Sequence, residues 1–235
     1  SICIITIVNM VNQYEAILFD MDGVLASVGM SYRESIIQTA AYFNVIITHE
    51  QITIEKKKGN SNNDWILSKR LIENNSSINV SIEEVTEVFE NIYQGTENKP
   101  GLCETEQLIP SIGLIDEIYR RMNGKIAIVT GRPRKDCIKF LVNHKLDQYF
   151  NVCICMEDCP AKPSPIPVIR AAELLNVSTS KCLMLGDTPD DIRAAVSAGA
   201  YGYGVLTPEE HSKLILNQIE QSNSMIDVLL SVGAI

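Results

Sequence analysis

The sequence is poor in histidine and tryptophan, with three of the former and one of the latter in 235 residues. It lacks any uninterrupted apolar run of about 18 residues, so a transmembrane helix is not supported. Basic charge is scarce as well: 20 Lys and Arg stand against 29 Asp and Glu, giving a net charge of -9. The longest basic run is Lys56 to Lys58. A field of that sign, without a basic patch, argues against nucleic acid as a partner. His49, His144 and His211 are scattered and nothing pairs them with a nucleophile, so they read as surface or packing residues. Cysteine is present but not as a disulfide framework, since the seven residues are odd in number and irregularly spaced. That usage fits a reducing compartment, the cytoplasm or the reducing lumen of an organelle reached by a transit peptide since removed. Cys153, Cys155 and Cys159 cluster, but no histidine or fourth cysteine lies nearby to complete a zinc site, and they read as small buried hydrophobes.

With 46% hydrophobic residues, the chain is long enough for a core domain and one smaller domain. Residues 1–9 are apolar without a basic leader region, and Met10 is spaced as an ordinary start before a first strand, so 1–9 are set aside as a remnant or an upstream extension. Short apolar runs at Ile17 to Phe19, Ile126 to Val129, Val152 to Cys155, Cys182 to Leu185 and Gly202 to Val205 predict strands. Amphipathic stretches at Ser111 to Met122, Lys135 to Asn143, Pro165 to Leu175 and Pro189 to Ala198 predict helices between them. Strand alternating with helix predicts an α/β fold with a Rossmann-like parallel sheet. From Met30 to Cys103 the rhythm breaks. Helical stretches at Tyr32 to Phe43, Asp64 to Glu73 and Ile82 to Tyr93 predict an inserted α-helical domain at 29–104, with the core formed by 10–28 and 105–235.

Polar clusters follow the predicted strands. Asp20 and Asp22 end "AILFDMDGVL", Thr130 and Gly131 end "IAIVTGR", Lys162 lies in "CPAKPSP", and Asp187, Asp190 and Asp191 lie in "LMLGDTPDD". In an open parallel sheet the carboxyl ends of the strands form the ligand crevice, so the four sets converge on one edge. Carboxylates without histidine make a hard oxygen site suited to Mg²⁺. A carboxylate can attack phosphorus, and phosphoryl transfer needs mainly positioning and charge neutralisation, which Lys162, the Thr130 hydroxyl and backbone N–H groups near Asp22, Gly23 and Gly131 would help supply. A second carboxylate two residues from the nucleophile has the reach of a general acid and base.

"DMDGVL", "VTG", "KPSP" and "GDTPDD", in that order and with a helical insertion after the first, resemble the four motifs of the haloacid dehalogenase superfamily, in the branch of phosphoglycolate phosphatase and β-phosphoglucomutase. The resemblance implies a Rossmann-like core with a helical cap and a small phosphorylated substrate. It implies Asp20 as nucleophile and metal ligand, Asp22 as acid/base and carbonyl ligand, and Asp187 as the remaining protein ligand of Mg²⁺. Thr130 and Lys162 would hold the phosphoryl group. Asp191 matches the supporting acid, with Asp190 as a competitor. Dehalogenases of the superfamily lack an acid at the Asp22 position, which points to phosphoryl transfer. Mutases of the β-phosphoglucomutase type carry a hinge histidine where this chain has Tyr32, and an Asp-Thr or Asp-Ser pair where it has Ala26 and Ser27. Hydrolysis is therefore the expectation, with a mutase and a noncatalytic binding protein as alternatives. Substrate contacts beyond the phosphate are expected from Arg132 and from Lys58, Asn62 and Asn63 in "KKKGNSNNDW", a stretch related caps present as a loop.

Overall fold

The computed structural model describes residues 13–59, 61–215 and 225–235, so the reading of residues 1–9 lies outside the described residues. They divide into two compact units, one running to Leu25 and resuming at Leu108, the other Ala26–Gln107. The chain opens with β1 (Ala16–Phe19) and leaves through β2 (Ala26–Ser27). Four helices follow, α1 (Tyr32–Tyr42), α2 (His49–Lys58), α3 (Asp64–Asn74) and α4 (Ile82–Gln94). A small hairpin of β3 (Gly95–Thr96) and β4 (Lys99–Pro100) comes next, and β5 (Gln107–Leu108) leads the chain back. The rest alternates: α5 (Ile112–Arg121), β6 (Ile126–Val129), α6 (Arg134–Asn143), β7 (Val152–Ile154), α7 (Ile166–Leu174), β8 (Cys182–Gly186), α8 (Pro189–Ser197) and β9 (Tyr201–Gly204). Among the described residues, α9 (Pro208–Ile215) and α10 (Met225–Ser231) follow.

In the first unit, five parallel strands are ordered β7-β6-β1-β8-β9. Every residue of β1, β6 and β8 is buried, as strands covered on both faces require. The registers Leu18↔Ala127 and Leu18↔Met184 seat β1 at the centre. One face packs Ala16, Leu18, Val129 and Met184 against Val168, Ala171 and Ala172 of α7 and Ala194 and Ala195 of α8. Alanine at the helix contacts lets those helices approach the sheet closely. On β1, Phe19 meets Phe150 edge to face at 5.6 Å.

The second unit is helical, with the small hairpin in a region expected to be free of strands. Three of its helices start on side-chain caps: Thr48 with Gln51 on α2, Asn63 on α3, and Ser81 with Glu84 on α4. Inside, Tyr32 stacks on Tyr93 at 4.3 Å and on Phe89 at 5.9 Å. Buried Glu106 accepts hydrogen bonds from Ser31 Oγ at 2.8 Å and Tyr93 Oη at 3.0 Å, joining residues 75 positions apart. The sequence reading omits α2, so the stretch from Lys56 that it places in a loop begins inside a helix that runs through Lys58, while the next helix begins at Asp64 as expected. The Thr48–Gln51 capping box is the signal that was available. Among the described residues no helix is long and apolar enough to cross a membrane.

Leu18 sits where β1 meets both neighbours and two helices. Leu18→Ala should cost about 2–5 kcal/mol in urea unfolding of the metal-free protein. A loss below about 1 kcal/mol would mean that this face is not the core.

Candidate active site

The site grows from the end of β1. Asp20 follows the strand and its N–H donates to Leu185 O of β8 at 2.9 Å, so the residue is tied to the sheet. Met21 is fully buried and Leu25 N–H donates back to Met21 O at 2.8 Å, closing a tight loop. The burial of Met21 explains why the two acids are separated by one apolar residue. Gly23 has φ +78, and a Cβ there would lie 2.3 Å from Asp187 Oδ2. Only a residue without a side chain allows the β1 loop this close to the acid that follows β8.

Lys162 is buried and its Nζ reaches Asp20 Oδ1 at 2.8 Å, Val129 O at 2.9 Å and Asp191 Oδ1 at 2.5 Å. Asp191 is itself fixed: its Oδ2 accepts from Thr188 N–H at 3.0 Å and Thr188 Oγ1 at 2.6 Å, the capping box that starts α8. A Cβ on Gly186 would fall 2.2 Å from Asp191 Cβ, so the helix start approaches the end of β8 only because Gly186 is bare. Sequence reasoning passed over Gly186, although it directly precedes Asp187 in "GDTPDD". Of the two competing acids, Asp191 meets Lys162, whereas Asp190 has its ion pair with Arg193 at 3.5 Å.

Thr130 follows β6, its N–H donating to Ile154 O at 2.9 Å and its Oγ1 accepting from Arg132 N–H at 3.1 Å. Arg132 does not face solvent. It is buried, with Nε and Nη2 both 2.6 Å from Asp22 Oδ1. Arg134, by contrast, pairs with Asp158 at 2.5 Å and its N–H donates to Glu157. Lys58, Asn62 and Asn63 belong to the helical unit, where Lys58 pairs with Glu55 on its own helix and Asn63 caps α3 by accepting from Ile66 N–H. Cys137 of α6 meets Cys153 of β7 and Cys155 just after it, and hydrogen bonding to these two thiols, with burial adding to it, pushes the Cys137 thiol far up.

The electrostatics are those of a site with surplus negative charge. Burial first and the neighbouring Asp191 carboxylate second push Asp20 up to about 7, Lys162 pulls it back, and Asp22 adds to the rise. Burial opposes the charge on Lys162, but Asp191 and Asp20 outweigh it and hold the ammonium well above its ordinary value. Oxygens of Asp20, Asp187 and Asp191 lie within 4.8 Å of one another, a set of hard donors that suits a divalent cation.

Residues 17–205 match the family model for haloacid dehalogenase-like hydrolases. The chain belongs to that family. It is 50% identical over 228 residues to an imidazoleglycerol-phosphate dehydratase of Phytophthora nicotianae, covering 96% of this chain and 50% of that protein, so the chain spans half that relative's length. It is 26% identical over 213 residues to a phosphoglycolate phosphatase of Haemophilus influenzae, covering 85% of this chain and 92% of that one. A hydrolase from Pseudomonas syringae shares the fold, with a TM-score of 0.68, 22% identity, and 94% and 91% of the two chains covered.

Two outcomes check this geometry. Asp20 raised from 3.8 to about 7 means that below about pH 4 the carboxyl is neutral whether folded or unfolded, and stability falls as pH rises from about 4 to 7 because the unfolded chain ionises first. Metal-free Asp20→Asn should therefore melt with wild type at pH 4 and above it at pH 8; a lower melting point at pH 8 would contradict the charge surplus. Gly186→Ala should destabilise by about 1–3 kcal/mol in urea unfolding. Gly113→Ala on α5, whose new Cβ meets only Ser111 Oγ at 4.0 Å, is the clash-free control and should instead stabilise by about 0.4–1 kcal/mol.

Proposed function

We propose that this hydrolase is a Mg²⁺-dependent phosphatase acting on a small phosphorylated metabolite through a phosphoaspartate at Asp20. The observation that carries the reading is buried Lys162 held between Asp20 and Asp191, with Asp22, Thr130 and Asp187 on neighbouring strand ends. Asp20, Asp187 and the carbonyl of Asp22 would hold Mg²⁺, with Asp191 close enough to share a bound water. The ion would neutralise phosphate charge and so let the Asp20 carboxylate approach an anionic ester.

An oxygen of Asp20 attacks phosphorus, the ester P–O bond breaks, and Asp22 gives its proton to the departing alkoxide. Asp22, now ionised, takes a proton from water as that water attacks the aspartyl phosphate, releasing inorganic phosphate and the free Asp20 carboxylate. Lys162 and the Thr130 hydroxyl donate to the nonbridging oxygens, aided by backbone N–H groups of the Gly23 and Gly131 loops. Lys58, Asn62 and Asn63, on the helical unit, are proposed to contact the substrate beyond its phosphate.

The relative from Haemophilus influenzae lends support to hydrolysis of a phosphate ester. The name of the relative from Phytophthora describes dehydration, and the other half of its length lies outside the match. Its substrate name, an imidazole-bearing phosphate, is still a reason to include such an ester among those tested.

Phosphate release from phosphoglycolate, sugar phosphates, nucleotides, pyrophosphate and imidazoleglycerol phosphate should require Mg²⁺ and stop with EDTA. Asp20→Asn should abolish it, and Asp22→Asn should lower it by about 10²–10⁴-fold. A near wild-type rate in purified Asp20→Asn would falsify the mechanism. Isomerisation of a sugar phosphate without phosphate release would establish the mutase instead.

A further inference from the structure

Arg132 is placed unlike a substrate-binding arginine. Its side chain is 1% exposed, and two of its nitrogens converge on a single oxygen, Asp22 Oδ1, each at 2.6 Å. Its backbone is fastened on both sides: the N–H donates to Thr130 Oγ1 at 3.1 Å, and the carbonyl accepts from Met156 N–H at 3.0 Å. The guanidinium carbon stands 5.4 Å from the ring centroid of buried Phe140 on α6. Pro133 follows directly and starts that helix. Backbone, ring and helix start therefore fix the guanidinium before any ligand arrives.

Asp22 differs from the acids around it. Its side chain is 23% exposed and lies on the loop after β1, so its two torsions are constrained chiefly by what it bonds to. Proton transfer to a leaving oxygen demands a carboxyl group held in hydrogen-bond geometry, and a displacement of about 1 Å can cost about 10²-fold. A planar guanidinium that grips one oxygen with two donors sets direction as well as distance, which a lysine ammonium does not. Arginine stays charged at any working pH and so is not itself the proton donor.

We infer that Arg132 is a positioning residue that orients the Asp22 carboxyl group for proton transfer to the leaving oxygen, and is not a ligand of the substrate phosphate. The inference rests on the reading of Asp22 as acid and base. It separates two kinds of ester. An alkyl phosphate has a poor leaving group and needs the proton, whereas p-nitrophenyl phosphate departs as a stable phenolate and does not.

The test measures kcat/KM for the best alkyl phosphate of the panel and for p-nitrophenyl phosphate, in the Mg²⁺-loaded enzyme, with inhibition by inorganic phosphate recorded in parallel. Arg132→Lys should lose about 10- to 100-fold on the alkyl ester, with a change on p-nitrophenyl phosphate below about threefold and phosphate inhibition unaltered. Phe140→Leu, which leaves the ion pair in place and removes the ring beside it, should shift the same ratio by a smaller factor, and it decides the matter if Arg132→Lys does not fold. An unchanged ratio of the two esters, or phosphate inhibition weakened about tenfold, overturns the inference. Asp22→Asn is the control: if it too leaves the ratio unchanged, the assignment of Asp22 as the acid fails, independently of Arg132.

Discussion

The site is organised around one buried ammonium. Lys162 carries its charge into the interior at the carboxyl edge of a sheet and is kept there by Asp20 and Asp191, whose own burial would be unfavourable without it. Neither carboxylate is tolerable alone in that setting, and neither is the lysine. The three are consequently locked in mutual positions, and the strands that carry them inherit that constraint: β1 for Asp20, the start of α8 for Asp191, and the loop after β7 for Lys162.

One lysine faces both Asp20 and Asp191, with an oxygen of Asp187 within 4.8 Å, and Asp20 is raised to about 7 by its burial first and by the Asp191 carboxylate second. A protein that spends stability on such a cluster has a reason to gather negative charge, and a divalent cation with a phosphate ester meets it. Arg132 sets a second, separate pair with Asp22, so the two acids of "DMDG" sit in different electrostatic company. Asp20 is buried among like charges, whereas Asp22 is part-exposed and gripped by a guanidinium. Different surroundings for two acids two positions apart are what a division between nucleophile and proton carrier requires.

Much of this was legible in the sequence because the strands of the core announce themselves. "AILF", "IAIV" and "CLMLG" are continuous apolar runs, and each is followed at once by its polar residues, so placing the strands also placed the site. The family resemblance came from the same residues. What the chain did not disclose locally depends on three-dimensional approach. Arg132 reads as a solvated or substrate-facing arginine at a helix start, and only the fold carries it to Asp22, 110 positions away. Gly23 reads only as part of a phosphate-binding loop and Gly186 draws no notice, whereas each is bare because an acid, Asp187 for the one and Asp191 for the other, occupies the space of its Cβ. Helix α2 was hidden by its composition, rich in lysine and glutamate with few apolar residues, although its Thr48–Gln51 cap was there to be read.

The account stands or falls on a covalent bond between Asp20 and phosphorus. The most direct measurement is a rapid acid quench of the Mg²⁺-loaded enzyme during turnover, followed by mass analysis of the intact chain and of the peptide containing Asp20. With p-nitrophenyl phosphate as substrate, whose leaving group needs no proton, one phosphoryl group on Asp20, more abundant in Asp22→Asn than in wild type because that variant lacks the base that activates water, is the predicted result. An active enzyme quenched in mid-turnover with no phosphoryl group on Asp20, or with one on another residue, would contradict it.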